Sequence, residues 1–348
     1  MNRLYRISAL ALAAALCLAL AACGGATPPP AAAPSGAASA GSAGSADADF
    51  TIGIVQYTQH SSLDEICAAV QNELEVLAAT ADVKLNVIVK NGQGDAPTIN
   101  DICSLFVADK VDLIIPIATP AATSAAAATQ GTGIPLVFSA VTDPVEAQLV
   151  ESMEAPGGSI TGTSDYIDTS LILKLATTQN PELKKLGLIY NLGEPNSVAT
   201  IAKTKPILEE QGIAYVESTV TTPGEVQMAA QKLISEGAEA IFVPIDNTVA
   251  SAMSVLADEA IKAGVPVYTA ADSMVRDGGL ATTGVNYTRL GELTAQMAFK
   301  VLYEKADPAS MAVQVLNDGI VSVNTTTAEA LGIDPDVFDP GEGYVAVE

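Results

Sequence analysis

The sequence predicts an α/β protein of two doubly wound parallel-sheet lobes, and three observations predict it. Apolar, β-branched runs alternate with stretches of helical spacing along the chain, which is the rhythm of doubly wound folds. The strand-like runs are continuously apolar rather than alternating, as in parallel sheets covered by helices on both faces. The second half of the chain also echoes the first in the same order, as expected of two similar units.

Taken in order, Thr51–Val55 reads as a strand and Leu63–Ala79 as a helix. Leu85–Val89 is a strand, Thr98–Asp109 a helix, and Leu113–Ile117 and Leu136–Ser139 are strands flanking an Ala-rich helix. The rhythm resumes with strands at Leu186–Tyr190, Tyr215–Val220, Ala240–Val243 and Val267–Thr269. Asp112-Leu-Ile-Ile-Pro116-Ile leads through a helix to Gly133-Ile-Pro135-Leu-Val-Phe-Ser139-Ala-Val-Thr-Asp143. Glu239-Ala-Ile-Phe-Val-Pro244-Ile leads likewise to Gly264-Val-Pro266-Val-Tyr-Thr-Ala-Ala-Asp272-Ser273. Gly53-Ile-Val-Gln-Tyr57 stands beside Gly187-Leu-Ile-Tyr-Asn191 at the two openings.

Ahead of these elements, Arg3 and Arg6 precede an uncharged apolar run from Ile7 to Ala22. That run falls short of the roughly 20 residues of a membrane span and reads as a secretory signal peptide over residues 1–22. Its end, Leu20-Ala21-Ala22-Cys23-Gly24, resembles a bacterial lipobox, which implies that Cys23 is lipidated and leads the mature chain. Gly24 to Asp49 is almost wholly Gly, Ala, Ser and Pro. Such a segment buries too little apolar surface to offset its ordering entropy, and makes a tether with a reach of about 25–30 Å. Residues 23–49 are therefore expected to hold a soluble domain near a membrane.

Without Arg3 and Arg6, fourteen basic residues face forty acidic ones, a net charge of about −26. That excludes nucleic acid, whose phosphates call for Lys and Arg. Catalytic chemistry is sparse as well. His60 is the sole histidine, no Gly-x-Ser-x-Gly elbow occurs, and two cysteines beyond Cys17 and Cys23 are too few for a thiolate zinc site. Neither an enzyme nor a cofactor or metal site is expected. In a sheet of order 2-1-3-4-5 with right-handed crossovers, the helices bearing Cys67 and Cys103 lie on opposite faces, so both are expected as buried free thiols.

Ligands of open α/β sheets bind beyond the carboxyl ends of the strands. The polar clusters Gln56–His60, Thr119-Pro120, Ser139–Asp143, Asn191–Ser197, Asp246-Asn247 and Asp272-Ser273 all fall there. Facing lobes would gather them around one cleft.

Several strings together resemble a known family: Phe138-Ser-Ala-Val-Thr-Asp-Pro144, Ala155-Pro-Gly-Gly-Ser-Ile-Thr-Gly-Thr-Ser-Asp165, Tyr190-Asn-Leu-Gly-Glu-Pro-Asn-Ser197, Pro244-Ile-Asp-Asn-Thr-Val-Ala-Ser251, Ala281-Thr-Thr-Gly-Val-Asn-Tyr287 and Val323-Asn324. The series, over residues 50–335, is similar to ABC-transporter substrate-binding lipoproteins of the tryptophan/tyrosine-binding type. The resemblance implies a type I periplasmic-binding fold whose lobes are joined by three crossovers and close by hinge motion. Lobe 1 would be 50–163 plus 288–317 and lobe 2 would be 164–287 plus 318–348, with Asp165, Asn286 and Asp318 near the crossovers and Asp165 also expected among the ligand-binding residues. It implies a monomeric importer subunit, anchored to the cell membrane, that delivers a small molecule to a permease and an ATPase. A ligand-sensing lipoprotein signalling through a membrane receptor is the alternative.

Similar amino-acid receptors hold the ligand carboxylate with hydroxyls and helix N-termini, which here points to Thr119, Ser139 and Thr142. Asp246, Asp272 and Glu194 are the expected partners of the ligand ammonium, Asp246 first. Asn191, Asn196, Ser197 and Asn247 offer neutral hydrogen bonds, and Gln59 or His60 would close the first loop over the ligand. Tyr57, Tyr166 and Tyr287 are candidates for an aromatic wall. The extension Pro335–Glu348 runs beyond the family pattern and carries no expected role.

Overall fold

A computed structural model of the chain describes residues 48–316, 320–339, 341 and 343–348. The expected signal peptide, Cys23 and nearly all of the expected tether lie outside the described residues, as does Asp318. Among the described residues, no helix is long and apolar enough to cross a membrane.

The first sheet is built from β1 (Phe50–Gln56), α1 (Ser61–Ala81), β2 (Leu85–Asn91), α2 (Ala96–Ala108), β3 (Leu113–Ile117), α3 (Thr119–Thr129), β4 (Leu136–Phe138) and β5 (Ile160–Ser164). The chain then enters α4 (Thr169–Gln179), β6 (Lys185–Asn191), α5 (Pro195–Glu210), β7 (Ala214–Val220), α6 (Val226–Ser235), β8 (Ala240–Val243), α7 (Asn247–Ala250), α8 (Met253–Ala263), β9 (Val267–Thr269), α9 (Asp272–Arg276) and β10 (Ala281–Thr283). It returns through α10 (Tyr287–Leu302) and β11 (Gln314–Val315), and ends in β12 (Val321–Asn324), α11 (Thr325–Leu331) and β13 (Val345–Val347).

The sheets have orders β11-β5-β4-β3-β1-β2 and β13-β12-β10-β9-β8-β6-β7. Each therefore contains the 2-1-3-4-5 core expected from the sequence. β11 rejoins the first sheet beside β5, and β12 joins the second, antiparallel to β10. The chain thus passes between two lobes three times. The antiparallel β12 departs from the all-parallel expectation. Its four residues, Val-Ser-Val-Asn, are all buried, so burial carries no sign of direction.

Sterics shape the first lobe. A Cβ on Gly53 would stand 2.7 Å from the Phe106 ring, so only glycine lets α2 settle on β1. Gly291 does the same for α10 against α1, where a Cβ would lie 2.7 Å from Ala69. Strand alternation puts Ile52 and Ile54 on the α1 face with Cys67, and Val55 on the other face with Cys103 and Phe106. The two thiols are buried and free, and burial pushes each up to about 11.

The C-terminal extension has a structural place. Its 3-10 turn at Pro335–Phe338 buries Phe338 edge-on against Tyr268, with ring centroids 6.3 Å apart. β13 then pairs in parallel with β12, covering that edge of the sheet.

Candidate functional site

The carboxyl ends of both sheets meet across a cleft. Hydrogen bonds and ion pairs cross it at both rims. Ser62 and Ser273 share one at 2.5 Å. The His60 ring meets Asn247 Oδ1 at 3.1 Å. Glu65 pairs with Arg276, and Ser61 donates to Asp277. At the opposite rim, Lys203 reaches Asp143 and Glu146 at 2.9 and 3.0 Å.

Two adjoining spaces lie between these latches. One is a nook of about 10 Å³, room for at most a single water, lined by His60, Ala118, Thr119, Ala140, Thr142, Asp165, Asn196, Asp246, Asn247, Met274 and Tyr287 among others. The other is a chamber of about 320 Å³ under the Lys203 bridges, with walls from Tyr166, Ile167, Pro195, Ala199 and Ile207. It sits at the small end of the range for ligand pockets, ~300–1,000 Å³. Thr119, Thr142 and Asn196 belong to the walls of both. The pair thus has a polar end and a largely apolar body.

Lobe 1 contributes backbone as well as side chains. α3 starts at Thr119 behind Ala118, which has φ 80° and supplies no capping side chain. Ala140, at the end of β4, also holds a positive φ of 54°. Strained non-glycine backbone of this kind concentrates at ligand sites. Thr119 Oγ1 accepts the amide of Thr142 at 3.4 Å, while the Thr142 hydroxyl has no partner.

Asp165 follows β5 and is fully buried. Oδ2 accepts the Tyr287 hydroxyl at 3.2 Å, and Oδ1 has no partner. Burial lifts this carboxyl to about 6, opposed by the neighbouring Thr142 and Tyr287 hydroxyls. Neither lysine nor arginine lines the nook. A buried carboxylate without a counter-charge is costly, so this position is prepared for a cation.

The favoured sequence candidates for the ammonium are instead satisfied within lobe 2. Glu194 accepts the amides of Asn247 and Thr248 at 3.0 and 2.9 Å, Asn247 Nδ2 at 2.6 Å and the Thr248 hydroxyl at 2.9 Å. Asp246 caps α7, taking the amides of Val249 at 2.8 Å and Asn191 at 2.6 Å. Burial raises both carboxyls, and Asp246 raises Glu194 further. Asp272 pairs with Arg276 at 3.0 Å and lies outside nook and chamber. Of the three expected ammonium partners, Glu194 is thus bonded within lobe 2, Asp246 lines the nook with each oxygen accepting a backbone amide, and Asp272 shares one oxygen with Arg276 outside the nook.

Other expected residues divide in the same way. Thr119, Thr142, Asn196 and Asn247 line the cleft. Ser139 does not: its hydroxyl exchanges a bond with Thr294 at 2.8 Å inside lobe 1. Asn191 gives its side chain to Thr248 and Gly193, and Ser197 donates to the Ile245 carbonyl at 3.2 Å. Gln59 is exposed, and His60 rather than Gln59 reaches the cleft. Among the tyrosines, Tyr166 lines the chamber, Tyr287 holds Asp165, and Tyr57 faces a separate groove and donates to the Gly94 carbonyl at 3.3 Å. Sequence reading missed Ile167, Ile207 and Lys203. Only the position of Ile167, just past the strand end bearing Asp165, could have pointed to one of them. No cluster of histidine, cysteine and carboxylates suited to a metal occurs among the described residues.

Comparison with known proteins places this geometry. The family described as "ABC transporter substrate binding protein" matches residues 51–336. A tyrosine-binding protein of Clostridioides difficile is 35% identical over 280 residues, 80% of each chain. An ABC domain from Streptococcus pneumoniae solved with L-Trp superposes with a TM-score of 0.79 at 30% identity, covering 86% of this chain and 99% of that one. A ligand-free, open substrate-binding protein with adhesive properties from Clostridium difficile has the same coverage and 34% identity, with a TM-score of 0.65.

Proposed function

The chain belongs to the ABC transporter substrate-binding protein family, and from that premise we propose that it is the extracytoplasmic receptor of an importer, capturing an aromatic amino acid between its lobes. The observation that carries the ligand class is the pairing of a polar nook with an apolar chamber through Thr119, Thr142 and Asn196. Asp165 receives the ammonium. Thr119, Thr142 and the uncapped start of α3 take the carboxylate, which suits the positive end of a helix. The side chain enters the chamber beside Tyr166, Ile167 and Ile207.

Closure follows from the same arrangement. Lobe 1 comprises 50–163 plus 288–317 and lobe 2 comprises 164–287 plus 318–348, turning about connections near Asp165, Asn286 and Asp318. The higher TM-score against the Trp-bound relative than against the open, ligand-free one supports a closed arrangement of these lobes. Cys23, lipidated after removal of residues 1–22, anchors a monomer through the tether 23–49. The ligand passes unmodified to a permease and ATPase.

Isothermal titration of protein beginning after Cys23 against Trp, Tyr and Phe tests the ligand class. Heat with at least one is expected, and none with all three overturns it. Radiolabelled palmitate should be incorporated by the full chain and lost on Cys23→Ser; label retained by the variant overturns the anchor.

A further inference from the structure

His60 is the single histidine of the chain, and its place in the cleft gives it a definite electronic form. Its Nε2 faces Asn247 Oδ1 across the lobes at 3.1 Å. The orientation of Asn247 is set from behind, because its Nδ2 donates to Glu194 at 2.6 Å. An oxygen therefore faces the ring, and Nε2 must carry the proton. In the neutral ring Nδ1 is then a bare acceptor. It is buried and unpartnered, as are Asp165 Oδ1 and Asn196 Oδ1 in the same nook. Three unpartnered acceptors equal in number the three N–H groups of a primary ammonium, with the Thr142 hydroxyl beside Asp165 in the same nook.

We propose that His60 is a specificity residue of the cleft: locked as the Nε2–H tautomer by Asn247 and Glu194, it accepts a hydrogen bond from the protonated amine of the ligand, and protonation of His60 expels that amine. The inference rests on the amino-acid reading above and extends it to a residue and a pH response. A proton on Nδ1 would set an imidazolium against the ammonium in one enclosed space.

The charged surroundings of the ring oppose one another. Asp64 and Glu65 lie on its own helix, Asp246 and Glu194 at the start of α7, Asp272, Arg276 and Asp277 at α9, and Asp165 with Tyr287 at the floor. Asp64 and Asp277 favour the imidazolium, but burial outweighs them and lowers the ring below its ordinary value. Opening the lobes returns it to water and to about 6.5. The closed, ligand-bound form thus requires neutral His60, and affinity must fall as pH drops below that value.

L-tryptophan is the probe; the chain contains no tryptophan of its own, so ligand fluorescence reports binding alongside titration heat. His60→Gln keeps an N–H toward Asn247 but presents no titrating acceptor. Between about pH 7.5 and 5.5 the rise in Kd should be roughly tenfold smaller in the variant than in the native chain, the factor for one group with an open-state value near 6.5. Asp165, which titrates nearby, contributes equally to both. An equal rise in both chains overturns the role of His60 and leaves the amino-acid reading standing. Absence of binding of Trp, Tyr and Phe to the native chain overturns both. Histidine-selective ¹⁵N labelling shows one ring and needs no variant. The complex should hold a neutral Nε2–H imidazole below the pH at which the free protein is half protonated, and an imidazolium in the complex there overturns the proposal.

Discussion

Tyr287 donates its hydroxyl to Asp165 at 3.2 Å, and the two residues stand on two of the three connections between the lobes. One oxygen of Asp165 is thereby held while the other faces the nook. On the proposed reading, the carboxylate that receives the ligand ammonium is fastened to the connections between the lobes.

Asp165→Asn should weaken binding of the amino acid by at least about a hundredfold, within the 2–5 kcal/mol cost of breaking a buried charge pair. Its effect on the empty protein should have the opposite sign. The folded carboxyl is raised to about 6 by burial, against about 3.9 in the unfolded chain. A raised carboxyl favours folding less as pH climbs from its unfolded toward its folded value, and the penalty is complete above the latter. Removing the charge should stabilise the ligand-free protein by about 3 kcal/mol near pH 7.5, and by about half of that near pH 5. Denaturant unfolding at the two pH values checks this, and an equal gain at both would contradict it.

Glu194→Ala should be primarily a folding defect. Four donors of Asn247 and Thr248 lose their acceptor inside lobe 2, and buried unsatisfied groups cost about 1–3 kcal/mol each when nothing replaces the partner. A loss of about 3 kcal/mol or more in ligand-free unfolding is expected. Native stability with weakened ligand affinity would instead return Glu194 to ligand contact.

Cys67 and Cys103 should react with a thiol reagent only after unfolding. Both are buried, in separate clusters on opposite faces of the first sheet, and burial holds both at about 11. Mass spectrometry of protein beginning after Cys23 should show two free thiols. A deficit of two hydrogens would mean that they pair.

Phe338→Ala should cost about 3–5 kcal/mol, the usual range for a buried phenylalanine. Its ring is 3% exposed and packs edge-on against Tyr268. Thermal melting of the variant tests whether the C-terminal extension is part of the second lobe. An unchanged transition would make it an appendage.

Much of the fold was legible because parallel strands announce themselves locally. Ile52–Val55, Leu113–Ile117 and Ala240–Val243 are apolar without interruption, and only a sheet covered on both faces accommodates such runs. β5, β10 and β12 were not named as strands. Their threonine- and serine-rich sequences, Ile160–Ser164, Ala281–Thr283 and Val321–Asn324, lack that apolar signal, and neighbours distant in sequence bury them. The cysteines were correctly separated because crossover handedness is a rule of chirality that holds before any packing is known.

The candidate site divides along the same line. Local sequence determined which polar residues end strands and begin helices, and therefore which of them could lie near a cleft: Thr119, Thr142, Asn196 and Asn247 followed from that alone. Only the tertiary structure decided which atoms remain free. Glu194, Asp246 and Ser139 looked as available as Asp165 along the chain, yet each is taken up by a partner brought near through folding, while Asp272 pairs with Arg276 one turn on in its own helix and lies outside the nook. Asp165 keeps one oxygen without a bonded partner, and neither lysine nor arginine lines the nook around it. Residue type is written in one dimension, whereas the satisfaction of a hydrogen bond depends on distances set by the whole packed chain.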